Sequence, residues 1–155
     1  MKRLMLSMLV LGSCGAVTAQ ADQPMAADSA PRAKYLLFCG GCHGLDGEGA
    51  WEENRIAPLF PRVSAFLNDP EGRRYYLNVG GVSGAGMTDA DTAIVLNYVM
   101  QSFGRQYLPA DFKPYTSAEV TELKKNRVGN AVDLRRAMAA RLESKGIAVS
   151  DYIWK

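Results

Sequence analysis

Apolar positions along the chain fall into clusters spaced for helices and separated by glycine-rich breaks, which gives an all-helical reading. Ser29 with Pro31 behind it signals a helix start, and that helix carries Tyr35, Leu36, Leu37 and Phe38 up to Cys39. Residues 44–50 hold three glycines and Asp46 and read as a loop. A short helix is expected over residues 63–67. Asp69 ahead of Pro70 reads as a cap before a first-turn proline, opening a helix through Tyr75, Tyr76 and Leu77. Gly80, Gly81, Gly84 and Gly86 make the next stretch an open loop. Thr88 with Asp91 three residues on resembles a capping box, and the helix it starts carries Ile94, Val95, Tyr98 and Val99 on one face and stops near Gly104. Thr116 or Ser117 caps a helix through Val120 and Leu123. After Gly129 and Asn130 a basic helix follows over residues 132–144, with Leu134, Ala137, Met138 and Leu142 as its apolar stripe.

The first 21 residues stand apart from this pattern. Lys2 and Arg3 precede a short apolar run over residues 4–17, and Ala19-Gln20-Ala21 is a small-x-small cleavage site, so residues 1–21 read as a signal peptide. Ser7, Gly12, Ser13 and Gly15 interrupt the run, which is too short to span a bilayer that needs about 20 apolar residues. Leu11-Gly12-Ser13-Cys14 resembles a lipoprotein cleavage box, so a lipid-anchored product starting at Cys14 stands as the second reading. Residues 22–29 are small and polar and read as a flexible tail. The remaining chain has single-domain length, and no further segment is long and apolar enough to be a transmembrane span.

The formal net charge is +2, and Lys2 and Arg3 account for all of it. Residues 22–109 carry ten acidic and seven basic side chains, while residues 110–155 carry six and nine. No concentrated basic stripe results, which argues against a nucleic-acid partner.

Cys39-Gly40-Gly41-Cys42-His43 carries the chemistry. Two thiols three residues apart with a histidine directly after the second form the attachment signal for a c-type haem. On a helical turn both cysteines share one face and can form thioethers to the two vinyl groups of one porphyrin. His43 can then swing beneath the macrocycle as an iron ligand, and Gly40 and Gly41 let the backbone lie close to the porphyrin edge. A structural zinc site needs four protein ligands, and after the leader only Cys39, Cys42 and His43 remain as soft or imidazole donors. A thioredoxin-like pair needs a strand and a βαβ context, which the helical reading of residues 33–38 denies. Export also suits haem attachment, which generally takes place outside the bacterial cytoplasm.

From about residue 30 to 104 the chain resembles the single-haem class I cytochromes c. The resemblance rests on Cys39-Gly-Gly-Cys42-His43-Gly44, on Asp46-Gly47-x-Gly49, on Ala57-Pro58-Leu59, and on a loop methionine ahead of the helix reading Ile94-Val95-Leu96-Asn97-Tyr98-Val99. It implies three to five helices around one covalently bound haem c in residues 30–109, with residues 110–155 as a helical C-terminal extension beyond its reach. It also implies that the first and last haem-domain helices cross, so that residues 35–38 meet residues 94–98. Pro58 matches the family proline whose carbonyl accepts a hydrogen bond from the proximal imidazole. His43 is the only histidine, so ligation by two histidines is excluded. Met87 lies where the family carries its axial methionine, which implies His43 and Met87 as the iron ligands. Met100 and Met138 fall within helices.

The function implied is a periplasmic carrier of single electrons, not an enzyme, exchanging with redox partner proteins such as a periplasmic dehydrogenase, an oxidase or another cytochrome. The alternative is a haem enzyme or gas-binding protein with an open or labile distal site, for which Arg55, Arg73 and Arg74 are the available polar groups. The extension could pack on the haem domain, shield a haem edge, or dock a partner through Arg135, Arg136, Arg141 and Lys145. Trp154 could tuck into the domain or meet a partner.

Overall fold

A computed structural model describes residues 29–49 and 56–150, and its elements are all helical. The leader, most of the tail, Arg55 and Trp154 lie outside the described residues. In chain order the α-helices are α1 (Ser29–Tyr35), α2 (Gly41–His43), α3 (Gly72–Asn78), α4 (Gly80–Ser83), α5 (Asp89–Phe103), α6 (Ser117–Lys125) and α7 (Ala131–Glu143). A π-helical segment, Leu36–Gly40, joins α1 to α2 without a break. Such a widened turn within a helix is frequent at functional sites, and here it contains Cys39.

Three of the expected helix starts are present, each with a side chain satisfying a backbone N–H that the helix leaves open. Thr88 Oγ1 accepts from the Asp91 amide (3.1 Å) ahead of α5. Thr116 accepts from Glu119 (3.2 Å) ahead of α6, and Asn130 accepts from Val132 (2.9 Å) ahead of α7. The start at Asp69-Pro70 is displaced: α3 begins at Gly72. Asp69 accepts the Glu71 amide (3.0 Å), and its buried carboxylate is also held by Arg141. The stretch expected to be an open loop instead makes a helical turn, α4, in which the Ser83 amide bonds the Val79 carbonyl (2.9 Å) and the Gly84 amide the Gly80 carbonyl (3.0 Å).

α1 and α5 cross as expected. Tyr35 is fully buried between the Tyr98 ring (5.6 Å) and the Phe103 ring (5.0 Å, edge-on), and Lys34 pairs with Asp91 at 2.5 Å. The buried stripe of α5 is Val95, Leu96, Val99, Met100 and Phe103, whereas Ile94 faces solvent at 37% exposure. The apolar face is therefore rotated from the one expected, because residues on both sides of the helix pack: α1 on one, α6 on the other.

α6 and α7 dock firmly. Tyr115, Val120, Met138 and Leu142 share one apolar cluster with Phe66, Tyr76, Leu96 and Met100. Polar contacts tie the same elements together. Arg141 makes a two-pronged bond to Asp69 (2.7 and 2.9 Å), Arg73 one to Glu119 (2.6 and 2.7 Å), and Lys124 pairs with Asp89 (2.7 Å). The Asn97 side chain bonds both the amide and the carbonyl of Tyr115 (2.7 and 2.9 Å). Packing is thus what the structure shows for the C-terminal segment, and Arg141 serves it.

Candidate haem site

The segment after α2 turns back on itself through glycines. Gly44, Gly47 and Gly49 all have φ near +75°, a conformation side chains resist. At Gly47 a Cβ would also press on the Phe103 ring (3.0 Å), and at Gly49 it would meet the Ile56 carbonyl (2.7 Å) and the Pro58 nitrogen (2.9 Å). Close approach at Gly49 lays residues 56–58 alongside His43, and the Gly49 amide bonds the His43 carbonyl at 2.9 Å. The Tyr35 hydroxyl donates to the Gly44 carbonyl (2.7 Å); burial pushes its pKa up to about 12, so the phenol keeps the proton this bond requires.

A cavity of about 350 Å³ opens here, within the range of roughly 300–1,000 Å³ typical of ligand sites. Phe38, Cys39, Cys42 and His43 line it together with residues 56–59, Arg62, Val63 and Phe66. Tyr75, Tyr76 and residues 79–82 contribute from α3 and α4, Val95, Leu96, Val99 and Met100 from α5, and Arg135 and Ser150 from the C-terminal segment. The structure thus brings Cys39, Cys42, His43 and Pro58 to one apolar space.

His43 Nδ1 lies 3.2 Å from the Ala57 carbonyl oxygen. A carbonyl only accepts, so Nδ1 carries the proton and Nε2 keeps its lone pair for a metal. The acceptor is the Ala57 carbonyl, not that of Pro58 as expected. Pro58 acts one residue upstream, because its ring restricts Ala57 to extended backbone and so aims the Ala57–Pro58 peptide. Burial lowers the His43 pKa, against the raising effect of the Ala57 bond, which favours neutral imidazole. Burial also raises the Cys39 pKa, with the neighbouring Cys42 adding to it, and both cysteines are free of disulfides.

Met87 lies just ahead of α5, buried in one cluster with Tyr35, Val95, Val99 and Phe103, of which Val95 and Val99 also line the cavity. Arg73 and Arg74 are engaged with Glu119 and Glu71 and do not line the cavity. Sequence reasoning missed Arg62, Met100, Arg135 and Ser150. Arg135 lies on α7 with its guanidinium 4.9 Å above the Phe66 ring and bonded to the Ser150 carbonyl (2.5 Å). No local pattern marks it, since only the docking of α7 brings it 92 positions back to His43.

Paired thiols beside a histidine that presents Nε2 to an apolar cavity define a helical haem-binding protein. The chain is 30% identical over 146 residues to a cytochrome c-552 of Thermus thermophilus, covering 83% of this chain and 90% of that one. It is 29% identical over 114 residues to another cytochrome c-552 of the same species, covering 62% of this chain and 86% of that one. The chain belongs to the c-type cytochromes. No family model matches it, and no solved structure does. Membership implies haem c, and the residues fit: two thiols, an imidazole held in the ligating tautomer, apolar walls, and two guanidinium groups that suit the carboxylates of a porphyrin.

Proposed function

We propose that this chain is an exported carrier of single electrons, with one haem c joined through Cys39 and Cys42 and bound at iron by His43. When bound, the haem supplies a one-electron iron couple. The chain's residues orient and shield it. The Ala57 carbonyl fixes the His43 tautomer and makes the imidazole a stronger donor. Val95, Leu96 and Val99 give the cavity an apolar wall that would exclude water from a bound haem, and Arg62 and Arg135 on the same wall would suit its carboxylates. The observation that carries this reading is the convergence of Cys39, Cys42 and His43 on one apolar cavity.

A periplasmic location and exchange with redox proteins rest on the leader pattern of residues 1–21. Among the described residues no helix is long and apolar enough to cross a membrane. Expression with a haem-maturation system tests the reading. The mature chain should gain the mass of one haem, show a reversible one-electron titration, and begin after Ala21. A folded product without covalent haem would overturn it.

A further inference from the structure

Of the described residues beyond position 110, Arg135 and Ser150 alone line the cavity, and the chain brings the two together. α7 closes at Glu143, and Gly146 (φ +75°) turns the chain back. The Ile147 amide bonds the Leu142 carbonyl (3.0 Å), and Ile147 and Val149 pack on the apolar cluster that holds Met138 and Leu142. This return lays the Ser150 carbonyl where Arg135 donates to it at 2.5 Å. The same guanidinium stands 4.9 Å over the Phe66 ring, which belongs to the haem domain.

These two contacts fix a permanent charge at the cavity. Arginine stays protonated at every accessible pH, and its fork of five donors serves several acceptors at once, so the Ser150 bond is compatible with a haem carboxylate. Arg62, the other cation on the wall, comes from the haem domain and donates to the Tyr107 hydroxyl (3.3 Å). Arg135 is therefore the cation that reaches the cavity only when α7 is docked. Oxidised iron carries one more positive charge than reduced iron. A fixed cation repels that extra charge, more strongly in an apolar cavity than in water. The sign is the same where the guanidinium pairs with a haem carboxylate, because neutralising that anion removes an attraction for oxidised iron.

Resting on the haem reading above, we infer that Arg135 couples the docking of α7 to the oxidation state of the haem. With α7 docked, its cation raises the reduction potential. In return, an added electron tightens the hold on α7 by the same factor, because a coupling between two equilibria is reciprocal. The C-terminal segment is then a redox-sensitive arm, firmer in the reduced protein and looser in the oxidised one. The electron is the one the carrier exchanges with its redox partner, and nothing else is consumed.

Potentiometric titration and hydrogen exchange of the holoprotein, oxidised and reduced, provide the test. A unit charge acting over roughly 12 Å at an effective permittivity of about 20 changes an equilibrium about tenfold. Arg135→Gln should therefore lower the reduced-to-oxidised ratio at a fixed potential about tenfold, which is about 59 mV for a one-electron couple. In the wild type the α7 amides, referred to those of α1, should exchange more slowly when the protein is reduced. Arg135→Gln should shrink that redox difference by the same factor as it lowers the ratio. Arg135→Lys, which keeps the charge, should recover most of both effects, and Arg136→Gln, on the exposed neighbour paired with Asp133, should change neither. A merely structural role would speed α7 exchange equally in both oxidation states. That result, an unchanged potential in Arg135→Gln, or equal losses in the Gln and Lys variants would overturn the inference. Intact mass separates its failure from that of the reading beneath it. Covalent haem with a potential indifferent to Arg135 removes the inference alone, whereas a chain without covalent haem removes both.

Discussion

Gly72 and Gly104 show how a missing side chain sets spacing in this molecule. A Cβ on Gly72 would overlap the Phe66 carbonyl oxygen, and one on Gly104 would lie 2.6 Å from Ser64 Cβ. Backbone cannot yield as a flexible side chain does, so Gly72→Ala must separate α3 from the 3₁₀ segment Val63–Asn68. A cost of about 1–3 kcal/mol is expected from such overpacking, visible as a lower Tm, whereas Gly129→Ala, which meets nothing within 4 Å, should be close to neutral. Equal Tm values for the two variants would contradict the close approach. The cysteine–histidine motif was legible at this scale, because its five residues are consecutive, and the structure brings Cys39, Cys42 and His43 to one cavity. The Ala57 carbonyl was misplaced by one residue, since the sequence marks the proline and not the peptide it aims. Met87 shows the limit: the sequence places it in a glycine-rich stretch ahead of α5, and only the tertiary packing reveals that it is buried in one cluster with Tyr35, Val95, Val99 and Phe103.

At the scale of elements, α7 is held by one ion pair whose carboxylate is fully buried. The bonds from Arg141 hold Asp69 below the usual carboxylate range, against the raising effect of burial. A depressed folded-state pKa means that the contribution is present above the unfolded value near 3.9 and is lost as pH falls through the folded one. Asp69→Asn should therefore lower the urea midpoint at pH 7, and the gap to wild type should close on acidification below about pH 4. A gap independent of pH would assign the effect to packing alone. Deleting residues 110–155 should do more, removing Val120, Met138 and Leu142 from the shared cluster and Arg135 from the cavity wall. Loss of stability together with a shifted haem spectrum is the expected result; an unshifted spectrum would contradict Arg135's place at the site. Helix starts at Thr88 and Thr116 were readable because caps are local; Asn130, read only as a break between helices, caps the last one. α4 was not readable, because glycine is permissive of many backbone conformations, and its turn is held by backbone bonds from Ser83 to Val79 and from Gly84 to Gly80 that no side chain marks.

Across the whole molecule, the cavity bears on whether the polypeptide can fold without its prosthetic group. About 350 Å³ stands at the meeting of α2, α3, α4, α5 and α7. At roughly 24 cal/mol per Å³ an unfilled space of that size costs about 8 kcal/mol. Because part of it is open to solvent, this is an upper bound, yet it matches the 5–15 kcal/mol that holds a typical domain together. A group that fills the space in the folded state and has no such site in the unfolded chain adds its binding energy directly to stability. Cys39→Ala/Cys42→Ala, which cannot attach haem, should then lose cooperative melting near the wild-type Tm and expose apolar surface to a hydrophobic dye. Helical content by far-ultraviolet circular dichroism should fall most where the cavity walls lose their common filling, in α3 and α4. α1 and α5 keep the Tyr35 crossing and the Lys34–Asp91 pair, which do not depend on the haem. Hydrogen exchange resolves the two regions: slow exchange confined to α5 in the haem-free variant is the expected pattern, and native-like protection across α3 and α4 would mean that the polypeptide closes its cavity unaided.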